Sequence, residues 1–105
     1  MLRASIRGAG LDNLRKALTE HLDFKTSGSF RGEQTNSIES VGWLNDTERE
    51  RLEEDVKAGI KFVVYSYWTP IAWVRRDGEV YRVKQKFSNT TGRHKGFTHW
   101  LEEAA

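Results

Sequence analysis

The sequence predicts an α+β fold: a small antiparallel sheet packed by about three helices. Three observations predict it. Apolar residues recur at helical spacing in three separate segments. The stretch from Lys61 to Trp68 is β-branched and aromatic throughout, as strands prefer. Asp77-Gly78 separates two further strand-like runs, the strongest short-range hairpin signal a sequence carries. At 105 residues the chain fits one domain, residues 1–105, with a single modest core.

Taken in order, residues 1–10 are expected to form a mobile N-terminal arm, because Gly8 and Gly10 interrupt any pattern. Leu11, Leu14, Leu18 and Leu22 then line one helical face, with Asp12 as N-cap of a helix over about 12–22. Residues 23–42 are rich in Gly, Ser, Thr and Asn, and a strand near Ser29 to Glu33 is expected among them. The second helix spans about 46–58. Asn45 and Glu48 have capping-box spacing, opposite charges recur at i,i+4, and Gly59 suits the position past its end. Leu52, Val56 and Ile60 are its inward residues, so it reads as a solvated helix lying on the sheet.

Strands are expected at about 61–68, 71–76 and 79–86. A two-residue Asp77-Gly78 turn would set Arg76 against Glu79, Val74 against Tyr81 and Ala72 against Val83, with Trp73 opposite Arg82. Pro70 lacks the N–H a ladder needs, so this hairpin should end or bulge there, with 62–67 finding another partner. In "YSYW" strict alternation would put Tyr65 and Tyr67 on one side, Ser66 and Trp68 on the other. Asn89, Thr90 and Thr91 are N-cap candidates for a third helix over about 91–102, which aligns Phe97, Trp100 and Leu101. The helices are expected to cover one face of the sheet.

Hydrophobic residues make up only 37% of the chain and charged residues 30%, so its 11% aromatics must carry much of the core. The absence of cysteine excludes disulfides, thiolate metal sites and cysteine nucleophiles. No apolar run approaches the ~20 residues that span a bilayer, and "MLRASIRGAG" has no apolar core of a secretory signal. An intracellular protein without a membrane partner is expected. Its net charge of +2 is unevenly spread: residues 46–57 are acidic, residues 75–95 basic.

"VVYSYWTPIAWVRRDGEVYRV" followed by "KFSNTTGRH" resembles a small domain found in actinobacteriophages and related bacterial plasmids and genomes. That family has a YSY-x-TPIAW-like strand, a DG turn and a YS-x-TT-x-RH-like segment in this order. The likeness covers roughly residues 61–95, with Phe87 where the family has tyrosine and Gly92 and Lys95 at variable or polar places. It implies a phage or mobile-element setting in the cytoplasm of a bacterial host, and no assigned activity.

The chemistry is expected to lie elsewhere than in a metal or a catalytic triad. His94 and His99 are five apart rather than at i,i+4, and His21 is remote, so no metal site and no cofactor are expected. Ser66, Ser88 and Thr91 lack a nucleophile elbow, and His94 could pair with Ser88 or Tyr65 only if the fold joins them. The better candidate is a basic strand-to-helix corner. Arg82, Lys84 and Lys86 alternate along a strand and lead into a helix start carrying Thr90, Thr91, Arg93, His94 and Lys95, which suits phosphate or nucleic acid. Tyr65, Tyr67 or Trp73 could add a stacking platform.

The plainer alternative makes these cations a solvated sheet edge. The sequence therefore reads first as a non-enzymatic binding module for nucleic acid or phosphate. A protein-interaction factor acting on a host enzyme or complex, through the acidic helix or Trp43 and Trp68, is the second reading. A small RNase-like enzyme is the third, and needs His94, Arg93 and a tyrosine in one cleft.

Overall fold

The computed structural model describes residues 1–101. The chain runs β1 (Leu2–Arg3), α1 (Gly10–Glu20), β2 (Phe24–Lys25), β3 (Phe30–Gln34), α2 (Asp46–Ala58), β4 (Ile60–Ser66), β5 (Thr69–Arg75), β6 (Val80–Arg82) and α3 (Asn89–Phe97). A single 3₁₀ turn, Thr98–Trp100, follows α3. The strands form one six-stranded sheet in sequence order. β1 and β2 are parallel and every other pair is antiparallel, so the α+β class holds with a mixed sheet.

The helices cover both faces of this sheet rather than one. β4 and β5 are buried along both of their sides, and a strand apolar on both faces needs cover on both. On one face Leu14 and Leu18 of α1, with Leu101 beyond α3, pack on Phe24, Phe30, Phe62, Val64 and Val74. On the other, Leu52 of α2 packs with Leu44, Val63, Tyr65, Trp73 and Val83. Phe97 and Trp100 join the first cluster, as their spacing suggested.

The N-terminal arm is tied down. Leu2 N–H donates to Asp23 O and Ala4 N–H to Lys25 O, which adds β1 to the sheet edge. A two-residue strand carries no periodicity, so β1 left no pattern to read, whereas β2 falls on Phe24, an anchor the sequence offered for a short extended piece. β3 falls where a strand was expected. Its Gly32 lies under the rings of Phe24 and Phe62, where an added Cβ would meet Phe24 at 2.4 Å.

The hairpin of β5 and β6 is slipped by one residue from the expected register. Trp73 pairs with Tyr81, Val74 with Val80 and Ala72 with Arg82. Arg75 N–H donates to Glu79 O, leaving a three-residue loop, Arg76 to Gly78, in which Gly78 takes a φ of 93°. A glycine at positive φ closing a three-residue loop is the longer hairpin alternative to the two-residue turn. The slip puts Trp73 and Tyr81 together on the α2 face, with ring centroids 5.0 Å apart, and sends Arg82 to the α3 face. β6 stops at Arg82, so 83–86 are not strand.

The β5–β6 ladder ends short of Pro70, as expected, but Pro70 itself stays within β5 opposite Tyr65 of β4. The ladder of β5 and β6 closes with Val83 N–H donating to Ile71 O, and the β4–β5 register shifts beside the Tyr65–Pro70 pair. Residues 62–66 find their second partner in β3 while β4 and β5 form a tight hairpin, Ser66 opposite Thr69.

Helix ends differ in detail. α1 begins at Gly10 after Ala9, without Asp12 as cap, and ends on His21 at φ 55°. α2 has the expected bounds and the Asn45 cap, whose side chain accepts from Glu48 N–H at 2.9 Å. α3 is capped by Ser88 rather than by Asn89, Thr90 or Thr91, and ends at Phe97. Position 102, the expected end of that helix, lies outside the described residues.

Candidate functional site

Two buried acids of α2 show how the polar residues of the second face are used. Glu48, Leu52 and Asp55 recur at i, i+4 and i+7 and all point at the sheet. Asp55 accepts from Trp73 Nε1 at 2.7 Å and from Arg51 Nε at 2.9 Å, with Arg75 at 3.4 Å. That bond to Asp55 raises the Arg51 pKa above its ordinary value. Glu48 accepts from the Tyr81 hydroxyl and from the N–H groups of Lys84 at 2.7 Å and Gln85 at 3.2 Å. Burial, then the bond to Glu48 and its charge, push the Tyr81 pKa up to about 12. These networks give both buried carboxylates several donors and fasten α2 to β5 and β6, although Arg75 Nε is left without a partner. They are scaffold.

The basic corner is partly dismantled by the fold. The Arg82 guanidinium donates to Thr98 O at 3.0 Å and Leu101 O at 2.8 Å, closing the carbonyl end of the 3₁₀ turn. Lys95 Nζ donates to Gln85 O at 2.6 Å and sits over the Phe87 ring. Lys84, Lys86, Thr90 and Arg93 are exposed. Thr91 and His94 are buried, and among the proposed stacking residues so are Tyr65 and Trp73.

Tyr65 and Tyr67 part company because the chain turns between them. Tyr65 faces α2, under the Arg31 guanidinium at 4.3 Å, with its hydroxyl accepting from Glu39 N–H. Burial raises its pKa first, against the lowering effect of that bond. Tyr67 starts the β4–β5 turn at φ 57°, a left-handed conformation that costs a non-glycine residue about 1–2 kcal/mol. Its N–H donates to Ser29 O at 2.9 Å, which ties this turn to the β2–β3 turn.

These two turns together frame a cleft of about 510 Å³. Tyr67 and Trp68, 49% and 64% exposed, form one wall. Thr26, Ser27, Gly28 and Ser29 form the other, between Lys25 and Arg31. Arg31 lies 5.2 Å from the Trp68 ring while pairing with Glu33 and Glu39. The side chains of Arg3, Arg7 and Lys25 have no hydrogen-bond or ion-pair partner among the described residues. The same Thr26-Ser27-Gly28 turn borders a second cavity of about 330 Å³, lined also by Ser5, Arg7 and His94. A third, of about 220 Å³, lies beyond Tyr67 between Trp43, Ser66, Ser88 and Thr91. One end of the sheet thus gathers Trp43, Tyr67 and Trp68 with these three cavities.

Beneath this end, Ser66 Oγ lies 2.6 Å from His94 Nδ1, and its hydroxyl donates to Thr91 Oγ1 at 3.1 Å. Phe30 stacks on the His94 ring at 4.6 Å and 10°, and Tyr67 lies tilted at 6.4 Å. Burial, with the neighbouring Arg93 charge second, lowers the His94 pKa. His94 therefore meets neither Ser88 nor Tyr65, the partners that sequence reasoning weighed. Phe30 opposite Ser66 across β3 and β4 is what turns Ser66 towards α3.

A family described as a family of unknown function (DUF8033) matches residues 18–102. The chain belongs to that family. No curated protein and no solved structure matches the chain. The matched span of DUF8033 contains Lys25, Arg31, Ser66, Tyr67, Trp68 and His94, whereas Arg3, Ser5 and Arg7 precede it. No helix among the described residues is long and apolar enough to cross a membrane.

Proposed function

We propose that this protein is a binding module for single-stranded nucleic acid, engaged at the turn end of its sheet. The observation that carries the reading is the cleft in which exposed Tyr67 and Trp68 face the Lys25–Arg31 hairpin across about 510 Å³. Single strands are held by stacking bases on aromatic rings and tracking phosphates with cations, and stacking is worth about 1–3 kcal/mol per base. Tyr67 and Trp68 supply rings held on a tight turn, and Lys25, Arg3 and Arg7 supply cations without internal partners. The hydroxyls of Thr26, Ser27 and Ser29 suit phosphate oxygens. Lys84, Lys86 and Arg93 extend the basic surface past Ser88, so part of the corner expected from sequence joins the same path.

Fluorescence titration with single-stranded DNA and RNA at several salt concentrations tests this. Affinity should fall steeply with salt, and Lys25→Ala should flatten the slope by about one phosphate contact. Trp68→Ala and Tyr67→Ala should each weaken binding by roughly 5- to 100-fold. No binding at low salt, or binding indifferent to salt, overturns the reading.

One observation favours a protein partner instead: Trp43 is 81% exposed, on a loop held by Gln85 Nε2 donating to Trp43 O at 2.9 Å. A rigidly presented tryptophan is a common interface anchor. A host protein captured by the full chain, retained after nuclease treatment and lost with Trp43→Ala, would establish that reading. A phage or mobile-element setting, which the resemblance at residues 61–95 implies, would fit either.

A further inference from the structure

We infer that the 330 Å³ cavity beside the turn-end cleft cleaves RNA, with His94 Nε2 as general base towards a ribose 2′-hydroxyl. The inference deepens the nucleic-acid reading and rests on it. It starts from one proton. The Ser66 hydroxyl donates its hydrogen to Thr91 Oγ1, so the 2.6 Å contact between Ser66 Oγ and His94 Nδ1 is carried by a proton on Nδ1. A neutral imidazole with Nδ1–H has its lone pair on Nε2. That nitrogen has no protein partner among the described residues, although His94 is only 4% exposed. The ring as a whole is buried, yet this nitrogen is not among the atoms sealed from solvent, so it is open to a ligand.

The ring is aimed. Phe30 stacks flat on it, Ser66 fixes its tautomer, and it lines the 330 Å³ cavity with Ser5, Arg7, Ser27 and Gly28. With Nδ1 turned to Ser66, Nε2 is the polar atom His94 can present to that cavity. Phe30 and Ser66 together do the orienting that a carboxylate does for other catalytic histidines. Burial favours the uncharged ring, which keeps it a base at neutral pH. The third expectation from sequence asked for His94, Arg93 and a tyrosine in one cleft. Here His94 has Tyr67 nearby, and Arg7 rather than Arg93 supplies the cation.

The step balances without a metal or oxidant. Nε2 takes the 2′-hydroxyl proton as the 2′-oxygen bonds to the adjacent phosphorus. The bond from phosphorus to the 5′-oxygen breaks, and that oxygen takes a proton from water. His94 then returns its proton to the hydroxide so formed. Arg7 would face the phosphoryl oxygens on which charge builds. The products are a 2′,3′-cyclic phosphate and a 5′-hydroxyl end. DNA lacks the attacking hydroxyl, so it would bind and stay whole.

The test incubates the full chain with a labelled single-stranded RNA and its all-deoxy counterpart, following binding and product ends separately. RNA should be cut to 2′,3′-cyclic phosphate ends while the deoxy strand is bound but intact. His94→Gln should slow cleavage by about 10²- to 10⁴-fold while RNA binding persists. Because His94 packs in the core, the surface variant Arg7→Ala is the second arm: it should slow cleavage in a protein whose thermal unfolding is unchanged. RNA bound but never cut, or cut equally fast by both variants, overturns the inference and leaves the binding reading standing. Failure to bind either strand overturns both.

Discussion

Trp73 and Asp55 meet between the sheet and α2, the indole N–H donating to the carboxylate at 2.7 Å with both residues almost wholly buried. The bond explains how an acidic helix packs on an aromatic strand. Trp73 brings ring area and one donor, and Asp55 accepts that donor along with Arg51 and Arg75. Asp55→Ala strands a buried indole N–H, whereas the two partly exposed arginines can turn to water. We expect a loss of about 2–3 kcal/mol in urea unfolding. A change under ~0.5 kcal/mol would place the carboxylate's bonds among those that contribute nothing.

The one-residue slip of the β5–β6 hairpin depends on Gly78. At φ 93° a side chain is strained, and the three-residue loop loses its closing residue. Gly78→Ala should cost about 1–2 kcal/mol. Amide exchange would locate the damage: protection of Val80, Tyr81 and Arg82 should drop before that of β4. Unchanged protection in β6 would mean the loop does not set the register.

Gly42 controls the loop that presents Trp43. Its φ is 50°, and an added Cβ would lie 2.2 Å from Thr69 Oγ1 and 2.6 Å from Thr69 Cα. The same Thr69 hydroxyl accepts from Trp43 N–H at 3.0 Å. Gly42→Ala cannot fit without moving this loop off β5, so the bond breaks. A loss of about 1–3 kcal/mol is expected. If near-ultraviolet circular dichroism and stability both match the parent, the loop is not held in this way.

Much of this architecture was legible because long elements carry periodicity. α2 was readable to its ends, since Asn45 caps it and Gly59 closes it. The central hairpin announced itself through Asp77-Gly78, but a two-residue and a three-residue turn share that dipeptide. The choice between them moved Trp73 from Arg82 to Tyr81, and a slip of one residue exchanges the faces. The second covered face was also concealed. Glu48 read as a capping-box residue and Asp55 as a solvated charge at i,i+4 from Arg51, and only Trp73 and Tyr81, each with a polar group to satisfy, hinted that acids could be buried.

The candidate site was less legible for a related reason. It is made by turns, and the two that form it, Thr26 to Ser29 and Tyr67-Trp68, lie in different parts of the chain. Lys25, Arg31, Arg3 and Arg7 carried no spacing signal. Arg82 looked like a free cation and instead caps a carbonyl end. His94 was noticed as a residue type, but its partner Ser66 depended on β3, whose pairing turns Ser66 towards α3.

Acid should destabilise this protein through His94. Burial, with Arg93 second, lowers its pKa in the folded chain below the ordinary value of 6.5. The unfolded chain therefore binds a proton before the folded one does, and stability must fall as pH drops below that ordinary value. Above it both states are neutral and this group contributes no slope. Urea midpoints measured from pH 8 down to 5 should decline on the acid side. His94→Gln should flatten that limb, whatever it does to the absolute stability. An acid limb equally steep in the variant would assign the effect to carboxylates instead.

At the alkaline end the slope has the opposite sign, and stability falls as pH rises. The Tyr81 hydroxyl donates to buried Glu48, and its pKa is pushed up to about 12 from the ordinary 10.0. Tyr65 is also raised, chiefly by burial. Unfolded tyrosines lose their protons near pH 10 while Tyr81 keeps its own until about 12, so the folded state binds more protons and stability falls across that interval. Phenolate absorbance should therefore show delayed ionisation for Tyr65 and Tyr81. Tyr81→Phe should remove the latest step and leave Glu48 with its two backbone donors, Lys84 and Gln85. It should cost about 1–2 kcal/mol, because the remaining bonds still hold the carboxylate. If every tyrosine ionised together near pH 10 in the folded protein, the Tyr81–Glu48 bond would not exist as described.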